Sequence, residues 1–449
     1  MAVSSSSISM ETMALDPIWV SSLKGKIQAD LQKLKASACS NCCSIYRVPH
    51  CLREADKTAY TPHSVSVGPF HHGEKMLEAM EQHKHRYLHE VLSRDSDIGL
   101  ERYLMAIKEL EQRARECYSE TIHLNSNQFV EMMVVDGCFI LQLLYKQYSR
   151  KGRKNDPIFM QSWLTWKLQI DLLMLDNQIP FCVLKRLFDL IKFPLLLDNS
   201  FTSIILNFFN DIWPSRNTIT VEDNPISDPN HKCEIQHLLH LFHSSLVLEI
   251  NLHKKSQTEG ENESFNPFPC ATKLREAGVK FKAGNASNFL DIKFGKGVIE
   301  IPPLSIEDGT NSVFLNLIAF EQCYSYCSNH ITTYATFMDC LINSATDVGI
   351  LCHNGIIKNW LGSDEEVADL FNKLGRDVIV DSNDFYLSDV SKGIDEYYRT
   401  PWHAWRASLM HKYFNNPWAI ISLIGAVIFL VLTFIQTFFA PFSYFHSPS

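Results

Sequence analysis

The chain has 449 residues, 46% hydrophobic and 20% charged, with 41 Lys+Arg against 50 Asp+Glu and a formal charge of −9. This composition excludes a disordered chain, and Gly and Pro at 18 each exclude collagen-like and Pro-rich classes. The acidic balance excludes nucleic acid as a partner held by global charge, because counterion release needs a basic face.

Residues 1–44 read as a variable lead-in, Ser-rich at the front, with a short helical pattern from Trp19 to Leu34. The lead-in lacks the positive n-region and apolar run of a secretory signal, which predicts a cytosolic start. Thirteen cysteines, an odd number at irregular spacing in apolar segments, argue for reduced thiols and against a disulfide framework. Asn262-Glu-Ser264 and Asn285-Ala-Ser287 are glycosylation acceptors only if that region enters a secretory lumen.

The next segment, 45–412, reads as the main body. Glu74 to Leu92 has a helical period, with Leu77, Met80, Tyr87, Leu88 and Val91 on one side and Glu78, Glu81, His85 and His89 on the other. Phe129 to Tyr148 is apolar nearly all round and too long for a strand, so it is predicted as a central buried helix. Ile158 to Met174 follows as another, and Leu175 to Pro180 breaks it, with Pro180 suited to the first turn of a helix through Leu190. Two polar stretches, 215–232 and 251–266, read as loops flanking a helix from Cys233 to Ile250, and the second is a candidate internal boundary. Alternation on both sides of Phe294-Gly295-Lys296-Gly297 predicts a β-hairpin within 281–303. Asn311 to Asn343 returns to helix, and Ser363 with Glu366 forms a capping-box pattern for one more. The predicted fold is mainly α: a large helical body with a small hairpin element and one C-terminal transmembrane helix.

That last helix is Trp418 to Ala440, an uncharged run long enough to span a bilayer core of about 30 Å. Trp418, Ile420, Leu423, Phe429, Leu432 and Phe438 are its membrane-facing candidates, and 441–449 is a short tail. Arg399, Arg406 and Lys412 flank it on one side, with no Lys or Arg after Pro441, so the positive-inside rule keeps the body cytosolic. The expectation is a single-pass, tail-anchored protein whose partner is the lipid bilayer.

No Gly-rich phosphate loop, nucleophile elbow or HExxH occurs. Three constellations carry possible chemistry. Glu81, His85 and His89 share one helix face at metal-ligand spacing, against the plainer reading of a solvated polar face. His237, His240 and His243 recur at helical spacing, against ordinary half-exposed helix histidines. Asp136 with Asp171 and Asp176 could form a buried carboxylate pair for acid–base work, against structural hydrogen bonding. A basic loop, Arg150, Lys151, Arg153 and Lys154, could touch anionic lipid, against a plain solvated turn. No cofactor is expected.

At Ile45 a family pattern begins: Ile45-Tyr-Arg-Val-Pro49, Tyr60-Thr-Pro62, Val65-Ser-Val-Gly-Pro-Phe-His-His-Gly73, Met80-Glu81 and Lys84. It continues through Phe129 to Leu141, Asp176-Asn-Gln-Ile-Pro180, Ala271 to Gly278, Phe320-Glu-Gln-Cys323 and Asn416-Pro-Trp-Ala-Ile420. The chain resembles, over about residues 45 to 440, the plant family filed as domain of unknown function two-four-seven. It departs from the usual pattern at Asp176, where the family has Glu, and at Phe70, where Tyr is common before His71-His72-Gly73. The resemblance implies a plant membrane protein with a helical domain, a C-terminal anchor and no established activity, some relatives being linked to pollen recognition and others to development or stress.

Two functional readings follow from the sequence. One is a membrane-anchored recognition or protein-interaction module; the other is a membrane-anchored hydrolytic or metal-assisted enzyme using His71, His72, Glu81, His85, His89, Asp136 and Asp171.

Overall fold

The computed structural model describes residues 16–38, 43–94, 99–191, 193, 200–212, 234–254, 265, 267–286, 288–380, 385–402, 405 and 417–445. The helix α1 spans Pro17–Ala38, and after α2 (His50–Ala55) the chain enters the body through an irregular segment to α3 (Glu78–Leu92). Helices α4 (Leu100–Lys108), α5 (Glu111–Glu116) and α6 (Ser126–Ser149) follow.

Helix α6 is the centre of the first half. It starts at a reciprocal capping box, in which Asn125 accepts from the Gln128 amide at 3.0 Å and Gln128 accepts from the Asn125 amide at 3.2 Å. It ends where Arg150 turns left-handed at φ 55°. Between them its side chains are buried on every face, as its all-round apolar sequence requires. The helix is long and apolar enough to cross a membrane, but 83% of its apolar window is buried inside the protein, which makes it a core helix. Helix α3 lays Met80, Tyr87, Leu88 and Val91 against it, with Tyr87 stacked on Phe139 at 5.4 Å. Helices α7 (Ser162–Asp171), α8 (Phe181–Leu190), α9 (Phe201–Phe208) and α10 (Leu238–Lys254) complete this half, with α8 and α9 packing on α6.

In the second half, α11 (Ala271–Glu276), α12 (Thr310–Cys323), α13 (His330–Leu341), α14 (Ala345–His353) and α15 (Asp364–Leu374) share the core with two small sheets, and α16 (Ser388–Arg399) lies on the first of them. Strands β1 (Lys280–Ala283), β2 (Lys293–Gly295) and β3 (Val298–Ile301) form a sheet in the order β1-β3-β2. The β2–β3 pair is the antiparallel hairpin predicted from sequence, turned by Lys296 and Gly297 at φ 53° and 74°. The β1–β3 pairing is parallel, and so is that of β4 (Leu304–Ile306) with β5 (Ile357–Asn359). Helix α12 stitches the halves together: Asn316 donates to the Ala59 carbonyl at 2.9 Å and accepts from the Leu175 amide at 2.9 Å.

Several boundaries differ from the sequence expectation for identifiable reasons. The predicted helix from Ile158 starts only at Ser162, because the Asp156 carboxylate takes the Ile158 amide at 2.9 Å and holds a turn there. The expected continuous helix from Asn311 to Asn343 is two, since Glu321 caps a new start by accepting from the Ile331 and Thr332 amides at 2.9 and 2.7 Å. At Ser363 the cap forms, but Glu366 returns its carboxylate to the Gly362 amide at 3.3 Å instead of closing a reciprocal box. Residues 251–254 extend α10; the predicted loop 215–232 and most of 255–266 lie outside the described residues. The apolar segment near the C-terminus is helical over Pro417–Phe445.

Gly137 marks the closest approach of α6 to α8, where an added Cβ would collide with the Leu187 side chain. Gly137→Val should cost about 1–3 kcal/mol of stability by overpacking, read from the midpoint of urea denaturation; an unchanged midpoint would show that α8 is not packed there.

Candidate functional site

Two of the residues that look chemical in sequence, Asp136 and Asp171, meet at one irregular segment, 63–68, which belongs to neither helix nor sheet. Its backbone amides need partners, and buried side chains supply them. Asp171, at the end of α7, accepts from His63 at 3.2 Å, Ser64 at 2.6 Å and Val65 at 3.0 Å. Asn177 accepts from Val67 at 2.7 Å and donates to Val65 and Asp171 carbonyls at 3.0 and 2.9 Å. Asp136, in α6, accepts from Gly68 at 2.9 Å and from the Lys84 ammonium of α3 at 2.7 Å. Gly68 sits at φ 76°, and a Cβ there would strike the Gln178 carbonyl, so the clasp requires glycine.

The carboxylates take the plainer of the two sequence readings, structural hydrogen bonding. Asp136 and Asp171 hold adjacent stretches of the same segment, each committed to its own donors, and Asp176 has other partners. Burial pushes the Asp171 carboxyl up against the pull of its three amides, so desolvation and not a second carboxylate sets its direction. Burial disfavours the Lys84 ammonium, but Asp136 and Glu81 outweigh it and hold its pKa above the ordinary lysine value. Glu81 therefore reaches Lys84 at 2.6 Å, while His85 and His89 are exposed. Of the three possible ligands on α3, Glu81 is spent on a salt bridge, and the two exposed histidines match the plainer reading of a solvated polar face.

His71 and His72 part company. His72 is exposed, whereas His71 is buried with its Nδ1 2.7 Å from Glu74 Oε1 and its Nε2 3.1 Å from Asp176 Oδ1. Asp176 also pairs with Arg53, which donates to the Tyr60 carbonyl at 3.2 Å. Burial lowers the His71 pKa and the two carboxylates raise it further, for a net rise above the ordinary histidine value. Phe70 packs between the Arg47 guanidinium, 4.5 Å from its ring centre, and Tyr118.

The three histidines at the start of α10, His237 just before it and His240 and His243 within it, are also structural, and they are buried where half-exposure was expected. His237, His240 and His243 surround the Phe320 ring at 5.1, 5.4 and 5.6 Å. His237 Nε2 meets the Ser44 carbonyl at 3.1 Å, and His243 Nε2 meets Glu321 at 2.7 Å. Burial drives the pKa of His237 well down and that of His240 to about 3, leaving both neutral. Among the described residues no group of three His, Cys, Asp or Glu side chains converges as a metal site.

The basic loop is partly structural too: Arg153 donates to the Lys146 carbonyl at 2.9 Å and to Gln147, closing the end of α6. Beside it Asp156 gathers Arg86 at 3.0 Å, Tyr87 at 3.0 Å and Lys146 at 2.5 Å. Burial opposes these partners, which still draw the Asp156 pKa down to about 2. A recess of about 870 Å³ between α11, α14 and α15 contains none of the predicted site residues. The roles of Lys84, Asn177 and Glu321 were missed in the sequence. The only hint was polarity inside otherwise apolar or turn segments.

The arrangement defines a helical protein whose motif polar residues form a buried clasp. Residues 45–432 match the family DUF247, described as a plant protein of unknown function, and the chain belongs to that family. It is 32% identical over 432 residues to UPF0481 protein At3g47200 of Arabidopsis thaliana, covering 92% of this chain and 89% of that relative. It is 22% identical over 513 residues to the putative UPF0481 protein At3g02645 of the same plant, covering 95% of each. No solved structure matches.

Lys84→Met should destabilise the protein by about 3–5 kcal/mol, because it strands the Asp136 carboxylate in the core. Lys84→Met with Asp136→Asn should recover part of that loss in denaturant titrations, since the neutral amide still accepts from Gly68. A double variant no more stable than the single would refute the pairing.

His240 supplies a pH prediction. Its folded pKa lies below its unfolded value, so the stability it contributes is present above about pH 6.5 and is lost as pH falls toward about 3. His240→Asn keeps an acceptor for the Gln236 amide, 3.2 Å from Nδ1, and removes the titration. Unfolding free energy between pH 6.5 and 4 should then fall less steeply, by up to about 1.4 kcal/mol per pH unit; parallel slopes would contradict it.

Proposed function

We propose that the protein is a single-pass membrane-anchored interaction module, its helical body held at the cytosolic face of a bilayer by the helix Pro417–Phe445. The observation that carries this reading is the apolar surface of that helix. Phe429, Leu432 and Phe438 are 73%, 53% and 61% exposed, an arrangement that water penalises and lipid favours. Trp418, Ile420 and Leu423 lie on the same helix, with side chains outside the described set. Both of its threonines are satisfied internally: Thr433 and Thr437 donate to the carbonyls of Phe429 and Thr433 at 2.8 Å, as a hydrocarbon core demands. Trp402 and Trp405, both exposed and 5.4 Å apart, precede it and suit the headgroup region.

The interaction reading is supported by how the body spends its polar groups. The histidines and carboxylates proposed for an enzymatic site serve as caps, clasps and salt bridges, with the exposed His72, His85 and His89 scattered. Exposed tryptophan remains on the surface: Trp360 lines a recess of about 360 Å³ with Trp166, Glu307 and Asp308. Aromatic side chains of this kind are the usual energetic anchors of protein partners.

The test uses the full-length chain in plant cells. Alkaline carbonate should leave the protein in the membrane pellet, protease added to intact vesicles should digest the body, and Asn262 and Asn285 should carry no glycan. Replacing Leu430 and Leu432 by Arg should release it, at a cost of about 2.5–3.5 kcal/mol for each central charge. Extraction by carbonate would refute the anchor, and a protected, glycosylated body would reverse the orientation.

A further inference from the structure

A recess of about 420 Å³ opens between the C-terminal turns of α3 and α6 and the loop that follows α6, within the size range of small-molecule pockets. Four of its lining residues are cationic, Arg86, Arg94, Lys146 and Lys151, and two are carboxylates, Glu90 and Asp156, which leaves two positive charges in excess. The carboxylates are already engaged. Asp156 holds Arg86, Tyr87, Lys146 and the Ile158 amide, while Glu90 lies 2.7 Å from both the Lys146 ammonium and the Gln142 amide nitrogen. Arg94 and Lys151, by contrast, make no ion pair with a described residue.

Neutral groups hold Arg94 in place instead. It donates to Gln142 Oε1 at 2.8 Å, and its guanidinium lies 4.4 and 4.9 Å from the centres of the Tyr145 and Phe193 rings. Burial lowers its pKa, opposed by the smaller pull of Tyr145, Glu90 and Tyr103, as happens to a positive charge left without a contacting counter-ion. Its Nη1 and the Nε of Arg86, both covered from solvent, find no acceptor among the described residues, so the cluster has more donors than it satisfies. The carbonyls at the end of α6 would repel an anion, but Arg153 covers them by donating to those of Lys146 and Gln147.

We propose that this recess binds a phosphomonoester dianion, carried by a soluble phosphorylated polyol or by the headgroup of a phosphorylated lipid. Such a group bears about −1.5 to −2 charges at pH 7, which matches the excess in the recess, and its three terminal oxygens accept where the protein has donors to spare. Arg94 meets the ligand as a guanidinium fixed by its stacking, and Lys151 as an exposed ammonium free to close on it. Glu90 and Asp156 do not turn the ligand away, because Arg86 and Lys146 already offset their charge. Arg150 and Lys154, exposed on the same loop, add to the positive field around the recess. The site takes nothing from the helix Pro417–Phe445, so it stands or falls apart from the membrane anchor.

The test titrates inositol trisphosphate into the full-length protein in a non-ionic detergent and reads binding by calorimetry, with myo-inositol as the uncharged control. The expected result is saturable binding of the trisphosphate that weakens as salt rises, and none of myo-inositol. Lys151→Glu and Arg94→Gln should each weaken it at least about tenfold, the loss expected for one hydrogen bond to a charged group. Lys358→Glu, which changes an exposed lysine that does not line the recess, should leave it unaltered. Lys151 is exposed and makes no ion pair, so its replacement spares the fold, and urea midpoints of all three variants separate lost binding from lost folding. Dioctanoyl phosphatidylinositol bisphosphate, corrected with dioctanoyl phosphatidylinositol for partition into detergent, identifies the source. Tighter binding than the trisphosphate assigns the site to a lipid headgroup, equal binding assigns it to the soluble ester, and either supports the phosphoryl site. No saturable binding below about 1 mM, binding that survives both recess substitutions, or an equal loss in Lys358→Glu would overturn the proposal.

Discussion

The backbone of 63–68 has no ladder to satisfy its amides, and the rest of the body is arranged around the buried side chains that do so. A buried amide without a partner costs about 1–3 kcal/mol, more than the net gain of a made hydrogen bond, so losing a partner matters more than having one. Asp171, Asn177 and Asp136 fill this need from α7, the turn after it, and α6. Each supporting residue then recruits another. Asp136 requires Lys84 and so fixes α3 on α6; Asn177 ties Val65 to Asp171; Gln178 donates to Leu172 and Met174 and accepts from Leu239, reaching α10. Asn316 of α12 takes the amide of Leu175 and carries the chain of dependence into the second half.

The same logic explains the second polar node. Phe320 offers a ring to three buried histidines, and the neighbouring Glu321 spends its two oxygens on His243 and the start of α13. A catalytic or metal-binding constellation keeps one position open for substrate or solvent. Here the buried Asp136, Asp171, Asp176, Glu321, His71, His237 and His243 direct polar atoms at backbone amides, carbonyls or other side chains. Charge inside this protein therefore specifies which segments meet. That use fits a body whose surface, and not its interior, would engage a partner.

How far the sequence discloses this depends on whether the needed information is local. The stripe from Leu77 to Val91 and the apolar run from Phe129 to Tyr148 are repeated within one element, so their burial was legible, and the hairpin announced itself through Lys296 and Gly297. The parallel pairs of β1 with β3 and β4 with β5 were not, because the partner of Leu304 is Ile357 and nothing near either residue indicates the other. Long-range partnership likewise hid the chemistry. The period of His237, His240 and His243 matches a half-exposed face equally well, and only Phe320 from another helix makes it buried. Lys84 reads as one more charge on a polar helix until Asp136 is brought to it. The ordered motifs identified the family without revealing that several of them close on one another.

The proposed anchoring follows from a contrast between two surfaces of the same chain. The body spends Asp136, Asp171, Asn177 and Glu321 on its own backbone and side chains, and its net charge gives it no general attraction for anionic surfaces. The helix Pro417–Phe445 has the reverse character, with its backbone and threonines satisfied internally and its described side chains from Ile424 to Phe439 left outside the core. Burying that apolar surface is worth roughly 25 cal/mol per Å², and among the described residues the core does not supply the contact. A bilayer does, at no expense to the clasp, because folding of the body and retention at a membrane then depend on separate sets of residues. On the proposed reading, change on the exposed surface around Trp360 would alter what the module binds without disturbing either how it folds or where it is held.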